Sequence, residues 1–234
     1  MSDTLVVPIG PDCFCRYIGL SEGSYHLLSN PFDNCRNRSL FQYRNILTLI
    51  KTGFSILTKK NAVPIEMPGN GQDVFHGYKF VQTDLVDFDL PHFLDATTGE
   101  EDAWDRFHHK VKNLMDALAD LDQDLLFVSI RNNNYGLFET EHQLKVLEDD
   151  AKNLVDHIYV AYGRNPANFR MLHFVKRDIP ERFQMHKSSG GLTQFYISVD
   201  DKDKQLASYY QPYRKRDAPL YKKLVDDYLK LYFS

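Results

Sequence analysis

The side chains best suited to covalent chemistry in this chain are thiols and imidazoles: three cysteines (Cys13, Cys15, Cys35) and nine histidines. Cys13 ends the stretch Pro8-Ile9-Gly10-Pro11-Asp12-Cys13, where a short apolar run stops at a glycine turn. At a strand-to-helix turn, backbone N–H groups and the positive end of the helix favour the thiolate. A free thiol titrates near 8.5, and such a setting lowers it to roughly 3.5–7.5. Cys13 is therefore the candidate nucleophile, and a buried thiol that only fills space is the alternative. Cys15 is read as packing. A base has to reach the nucleophile through space and not along the chain; His92, in Asp89-Leu-Pro-His-Phe-Leu-Asp95, is the candidate. Asp33 can orient an imidazole or cap the element that follows it. His108 and His109 fall on or beside an amphipathic helix and read as a solvated face.

Arg131 leaves an apolar run into Asn132-Asn133-Asn134, where a guanidinium can take a carboxylate or phosphate through two parallel bonds. With Asp12, Asn30 and Asn133 it makes up the candidate substrate-binding set. The turn Ser188-Ser189-Gly190-Gly191 reads either as backbone donors for an anion or as a plain turn. Cys-x-Cys with Cys35 matches no structural zinc spacing, so no metal is expected, and no cofactor is required.

Composition limits the setting of this chemistry. With 234 residues, 43% hydrophobic and 26% charged, the chain has the balance of a soluble globular protein. A net charge of −4 gives no global field toward nucleic acid or an anionic surface. An odd, small number of cysteines fits a reducing compartment, and neither a leader pattern nor a run of about 18 apolar residues is seen. The expected partner is a small-molecule, glycan or peptide substrate, with no nucleic acid and no membrane span, in the cytoplasm.

Elements must bring these residues together. Thr4 to Ile9, Tyr25 to Leu28, Leu125 to Ile130 and Phe169 to Val175 are short apolar or β-branched runs that read as strands. Helical spacing joins Leu40, Tyr43, Leu47 and Ile50 after Ser39 as N-cap, then Trp104, Phe107, Val111, Leu114 and Leu118. It returns from Thr140 through Ile158 and again from Leu220 to Tyr232. Strands alternating with helices predict a three-layer α/β sandwich with a mostly parallel sheet, flavodoxin-like or similar to SGNH hydrolases. Gln194 to Val199 is expected as an antiparallel edge strand. One domain spans 1–234, with 57–100 as a loop or lid insertion that has at most a short strand from Tyr78 to Val86. Ligands of such sheets sit outside the carboxyl ends of the strands, which is where Asp12, Cys13, Asn30, Asp33, Arg131 and Asn133 fall.

The order of these blocks resembles a bacterial family described as papain-like cysteine peptidases. The residues that carry the likeness are Pro8-Ile9-Gly10-Pro11-Asp12-Cys13, Asn30-Pro31-Phe32-Asp33, His92 and the strand ending in Arg131, within about the first 135 residues. The resemblance implies Cys13 as nucleophile, His92 as base and Asp33 as a further site residue. Pro11, Asn34 and Phe93 stand where that family carries serine, tryptophan and aspartate. A cysteine after the first strand of a sheet is nearer to hydrolases whose serine follows the first strand than to papain. The leading expectation is a cysteine-dependent acyl hydrolase or acyltransferase. The alternatives are a nucleotide-sugar or phosphoglycan binding protein or transferase of surface-polysaccharide synthesis, in which Cys13 is structural, and a non-catalytic interaction domain.

Overall fold

The computed structural model describes residues 4–10, 15–16, 20, 23, 25–37, 40–68, 74–81, 83–94, 99–131, 140–177, 179–198 and 212–233. Ten strands and four helices are present among them: β1 Leu5–Pro8, β2 His26–Leu27, β3 Arg36–Asn37, α1 Gln42–Lys51, β4 Ala62–Pro68, β5 Val74–Phe80, β6 Phe88–Leu94, α2 Glu100–Ala119, β7 Leu125–Arg131, α3 Glu141–Tyr162, β8 Phe169–Arg177, β9 Phe183–Ser189, β10 Leu192–Ser198 and α4 Pro212–Tyr232.

The main sheet has the order β2-β1-β7-β8-β10-β9, in which every neighbouring pair is parallel except β10 with β9. It is an α/β fold with a mixed, mostly parallel central sheet. Alternation along each strand sends successive side chains to opposite faces. Val7, Phe127 and Met171 face the cluster built with Tyr43 and Ile46 of α1, Trp104 and Phe107 of α2, and Leu147 and Leu154 of α3. Val6, Leu126, Val128, Leu172 and Phe174 face Leu220, Leu224 and Tyr228 of α4. Burial on both sides explains why β7 reads as an unbroken apolar run; each such Val, Leu or Phe contributes about 1.5–3 kcal/mol. A buried ion pair from Lys176 of β8 to Asp217 ties α4 to the sheet.

The helix starts follow local chemistry. Thr140 caps α3 by accepting from the Gln143 N–H, and Gln143 accepts from the Thr140 N–H, as the Thr-x-x-Gln spacing dictates. Gly163 ends α3 at φ +69°, a left-handed position that favours glycine. Ser39, expected to cap α1, lies outside the described residues.

Two expectations are corrected. Gln194 to Val199 is not the antiparallel edge: β10 is parallel to β8 and lies one strand inside, and the antiparallel edge strand is β9. Gly190 and Gly191, at φ +56° and +84°, turn the hairpin between them. Ser188 and Ser189 belong to β9 rather than to a turn. The β9 strand escapes a hydrophobicity reading because its described side chains are solvent-exposed. The second correction concerns residues 57–100, expected as a loop or lid insertion. They hold β4, β5 and β6, which with β3 make a four-stranded antiparallel sheet ordered β3-β6-β5-β4. Pro64 and Pro68 disguise β4 as loop, but β4 is an edge strand, where a missing N–H is tolerated. Tyr78 and Phe80 of this sheet pack with Trp104, and Phe88 packs with Phe80, so that the sheet joins the main core. No helix among the described residues is long and apolar enough to cross a membrane.

Candidate functional site

The carbonyl end of β1 is held from both sides. Successive carbonyls of a strand point in opposite directions, so Pro8 O faces the β2 side and Ile9 O faces β7. Asn30 donates from Nδ2 to Pro8 O at 3.2 Å, and Gln42, the first residue of α1, donates from Nε2 to Ile9 O at 3.4 Å. Both amides are fully buried. They fix the point at which the chain leaves the sheet toward Cys13.

On the β2 side, Asn30 and Asp33 form a reciprocal cap over the short turn Pro31-Phe32-Asp33-Asn34. Asn30 Oδ1 accepts from the Phe32 N–H at 2.9 Å, and Asp33 Oδ2 accepts from the Asn30 N–H at 3.1 Å. The Asp33 carboxylate is buried and also takes Arg16 Nη1 at 3.2 Å, Asn30 Nδ2 at 3.2 Å and Lys110 Nζ of α2 at 3.5 Å. Arg16 donates in addition to Leu28 O at 2.7 Å. Burial pushes the Asp33 carboxyl above the ordinary carboxylate range, although the Arg16 and Lys110 cations and the Asn30 N–H pull the other way.

On the β7 side a second buried network starts at Gln42. Its Nε2 donates to Ser129 Oγ at 2.8 Å, and its Oε1 accepts from Arg131 Nη1 at 3.1 Å. Ser129 and Arg131 share a face of β7, and His173 of β8 lies in register with Ser129. The Tyr43 ring meets the His173 imidazole edge-on, with centroids 5.2 Å apart. Full burial, together with the nearby Arg131 cation, lowers the His173 pKa to about 3, so the ring is neutral at physiological pH. Among the described residues His173 Nε2 has no hydrogen-bond partner.

Asn30, Asp33 and Arg131 are thus joined, through Gln42 and two adjacent β1 carbonyls, into one network at the carboxyl edge of the sheet. Asp12, Cys13 and Asn133 lie outside the described residues. His92 is on β6, and its side chain lies outside them too. Its strand is irregular there: Tyr78 pairs with Leu90 but His76 with Leu94, so the β6 stretch containing Pro91 and His92 holds two more residues than its partner. Cys15, read as packing, is buried in the α4-side cluster and donates from Sγ to Val128 O at 3.2 Å. Cys35 is buried in the other cluster.

Arg16, Gln42, Lys110, Ser129 and His173 escape the sequence reading. A signal for two of them is present: Ser129 and His173 interrupt the apolar runs of β7 and β8, each at the fifth position of its strand. Nothing along the chain marks Gln42, whose role depends on where α1 lands. Among the described residues no group of three or more His, Cys, Asp or Glu is arranged to hold a metal ion. Comparison with family models, with curated proteins and with solved structures finds no match for this chain.

Proposed function

We propose that the chain is a cysteine-dependent acyl hydrolase or acyltransferase whose site lies at the carboxyl end of β1. The observation that carries this reading is the position of that strand end. Taken in chain order, the five parallel strands run 2-1-3-4-5, the order of flavodoxin-like sheets, and we infer a flavodoxin-like arrangement related to that of SGNH hydrolases. In such sheets the ligand crevice opens where the strand order reverses, here between β1 and β7. The clamp by Asn30 and Gln42 on the last carbonyls of β1 supports the same reading, because a nucleophile has to be held still.

In this mechanism the Cys13 thiolate attacks the acyl carbon and backbone N–H groups after it stabilise the oxyanion. The bond to the leaving group breaks, and His92 gives that group the proton taken from the thiol. Water, or an acceptor hydroxyl or amine, then attacks the thioester, His92 takes its proton, and the thiol is restored. Asp33 is assigned to anchor Arg16, and with it the segment that carries Cys13. Both of its oxygens are already engaged by Arg16, Lys110 and Asn30, so it is not assigned to orient the base.

A second reading is favoured by charge. Among the described residues the Asp33 carboxylate is met by two cations, Arg16 and Lys110, and this balance suits a phosphorylated ligand such as a nucleotide-sugar or phosphoglycan. The experiment that separates the two compares wild type with Cys13→Ser. Loss of acyl transfer to a thioester or ester probe with retained binding supports the first. A thermal shift with nucleotide-sugars that survives Cys13→Ser, without any turnover by wild type, supports the second.

A further inference from the structure

We propose that Asn45 and Asn37 are positioning residues that couple the turn before β6 to the end of β1. They lock that turn to the start of α1, whose Gln42 holds β1, and so set the spacing between the strand that carries His92 and the strand end that leads to Cys13. The inference rests on the proposed reaction in taking those two residues as the reacting groups.

The buried face of α1 is apolar at Tyr43, Ile46, Leu49 and Ile50, but its first turn also buries Gln42 and Asn45. Three residues apart, these two are neighbours on the helix surface. Asn37 of β3, fully buried as well, bridges them. Its Nδ2 donates to the main-chain Gln42 O at 3.0 Å, and its Oδ1 accepts from Asn45 Nδ2 at 2.7 Å. Asn45 in turn takes both main-chain polar groups of Val86: Nδ2 donates to Val86 O at 2.7 Å, and Oδ1 accepts from the Val86 N–H at 3.1 Å. A main-chain N–H can only donate and a carbonyl can only accept, so Val86 and Gln42 dictate which way each amide is turned.

What the amides hold is otherwise loosely placed. The Val86 side chain is 41% exposed, so burial does little to fix this residue, and Asn45 grips it by its backbone instead. Asp87, next along, sits at φ +50°, a left-handed position that a non-glycine residue keeps only where its surroundings impose it. Then β6 begins at Phe88. Its pairing with β3 is two residues long, Arg36 with Asp89 and Asn37 with Phe88, shorter than an ordinary strand pairing. Asn37 therefore meets β6 through its backbone and α1 through its side chain. Aromatic packing on Trp104 holds the antiparallel sheet against the core, but apolar contact is non-directional, whereas a chain of satisfied amides fixes distance and angle. From Gln42 the path ends on Ile9 O at the close of β1. A nucleophile and a base carried by two different sheets need such a tie, because a misplacement of about 1 Å can cost roughly a hundredfold in rate.

The test is hydrogen exchange on the full-length wild type, Asn45→Ala and Asn37→Ala proteins, together with the pH dependence of Cys13 alkylation in each. Asn45→Ala is expected to speed exchange across residues 83–88 and also across residues 9–16, about threefold to tenfold, with β8 unchanged. Asn37→Ala cuts the path behind the Val86 clasp. It is expected to speed exchange across residues 9–16 by a similar factor with Val86 still protected, and it decides the matter if Asn45→Ala fails to fold. In both variants the apparent pKa of Cys13 should rise toward the free-thiol value of about 8.5, as the imidazole is no longer held beside the thiol. A merely structural role would loosen residues 83–88 and leave both of these readouts alone. The proposal is overturned if the folded variants exchange across residues 9–16 as wild type does, or if a reactive Cys13 keeps its wild-type pH profile in them. A wild-type Cys13 that titrates as a free thiol removes the acyl-transfer reading, and exchange across residues 9–16 then decides the coupling by itself. A reactive Cys13 indifferent to both variants keeps that reading and removes the coupling.

Discussion

Two buried arginines at opposite ends of the same sheet have opposite surroundings. At the amino end, Arg164 spends all of its donors on backbone. Nε donates to Leu118 O, Nη1 to Gln123 O and Asn168 O, and Nη2 to Ala117 O and Asp120 O, at 2.5–2.9 Å. It closes the last turn of α2 and the loop into β7, whose orphan carbonyls would otherwise be buried without donors. At the carboxyl end, Arg131 is gripped by the Gln42 side chain, itself held by Ser129 and by the end of β1. One arginine is consumed by the fold. The other is held by a side chain of a different element. Burial alone does not separate them: all five Arg164 donors go to main-chain carbonyls, whereas Arg131 Nη1 goes to the Gln42 side chain.

That contrast can be broken most forcefully at Arg164. Arg164→Leu removes five donors, three from carbonyls at the α2 terminus and one each from Gln123 and Asn168, and is expected to cost about 4 kcal/mol or more, read as a lower urea midpoint with unchanged slope. Arg131→Met, by contrast, should cost about 1–2 kcal/mol by the same measurement. Equal losses of stability would erase the distinction.

The next largest effect is on pH dependence and belongs to the Arg131 end. The folded pKa of His173 is about 3 and its unfolded value about 6.5, so the unfolded chain takes the proton first. Stability should therefore fall as pH drops from about 6.5 toward 3, by up to about 1.4 kcal/mol per unit, and His173→Phe should flatten that slope in denaturant titrations at several pH values. Asp33 titrates in the opposite sense. Its folded value lies above 3.8, so its contribution is fully present below that pH and is lost as pH rises through the folded value. Asp33→Asn turns an amide donor toward the Arg16, Lys110 and Asn30 donors and should cost about 2 kcal/mol, measured by chemical unfolding at neutral pH. Smallest is Ser129→Ala, about 1 kcal/mol by the same measurement, because Gln42 keeps its bond to Ile9 O.

The contrast between the arginines also shows what could be read from the chain. The strands β1, β7 and β8 and the helices α2 and α3 were legible because burial on two faces, or on one stripe, leaves a period in the sequence. So was the convergence of Asn30, Asp33 and Arg131, since strand ends in a parallel sheet meet at one edge. The antiparallel sheet of β4, β5 and β6 was hidden by prolines that an edge strand accepts, and β9 by its exposed side chains. Gln42, Arg16 and Lys110 could not be found, because each acts on a partner far away in sequence: Gln42 on Ser129 and Arg131, Arg16 on Asp33, and Lys110 on Asp33. Arg164 had no signal either, since five backbone carbonyls leave no trace in residue types.

The central claim is that the end of β1 presents a reactive thiol at the carboxyl edge. Its most direct test is the pH dependence of alkylation, resolved by cysteine. Cys15 and Cys35 are buried and serve as slow internal references. The account predicts that Cys13 is modified much faster than either, with an apparent pKa well below the free-thiol value of about 8.5, and that Cys13→Ser abolishes the fast phase. A Cys13 that titrates at about 8.5, or reacts no faster than Cys15 and Cys35, would contradict it.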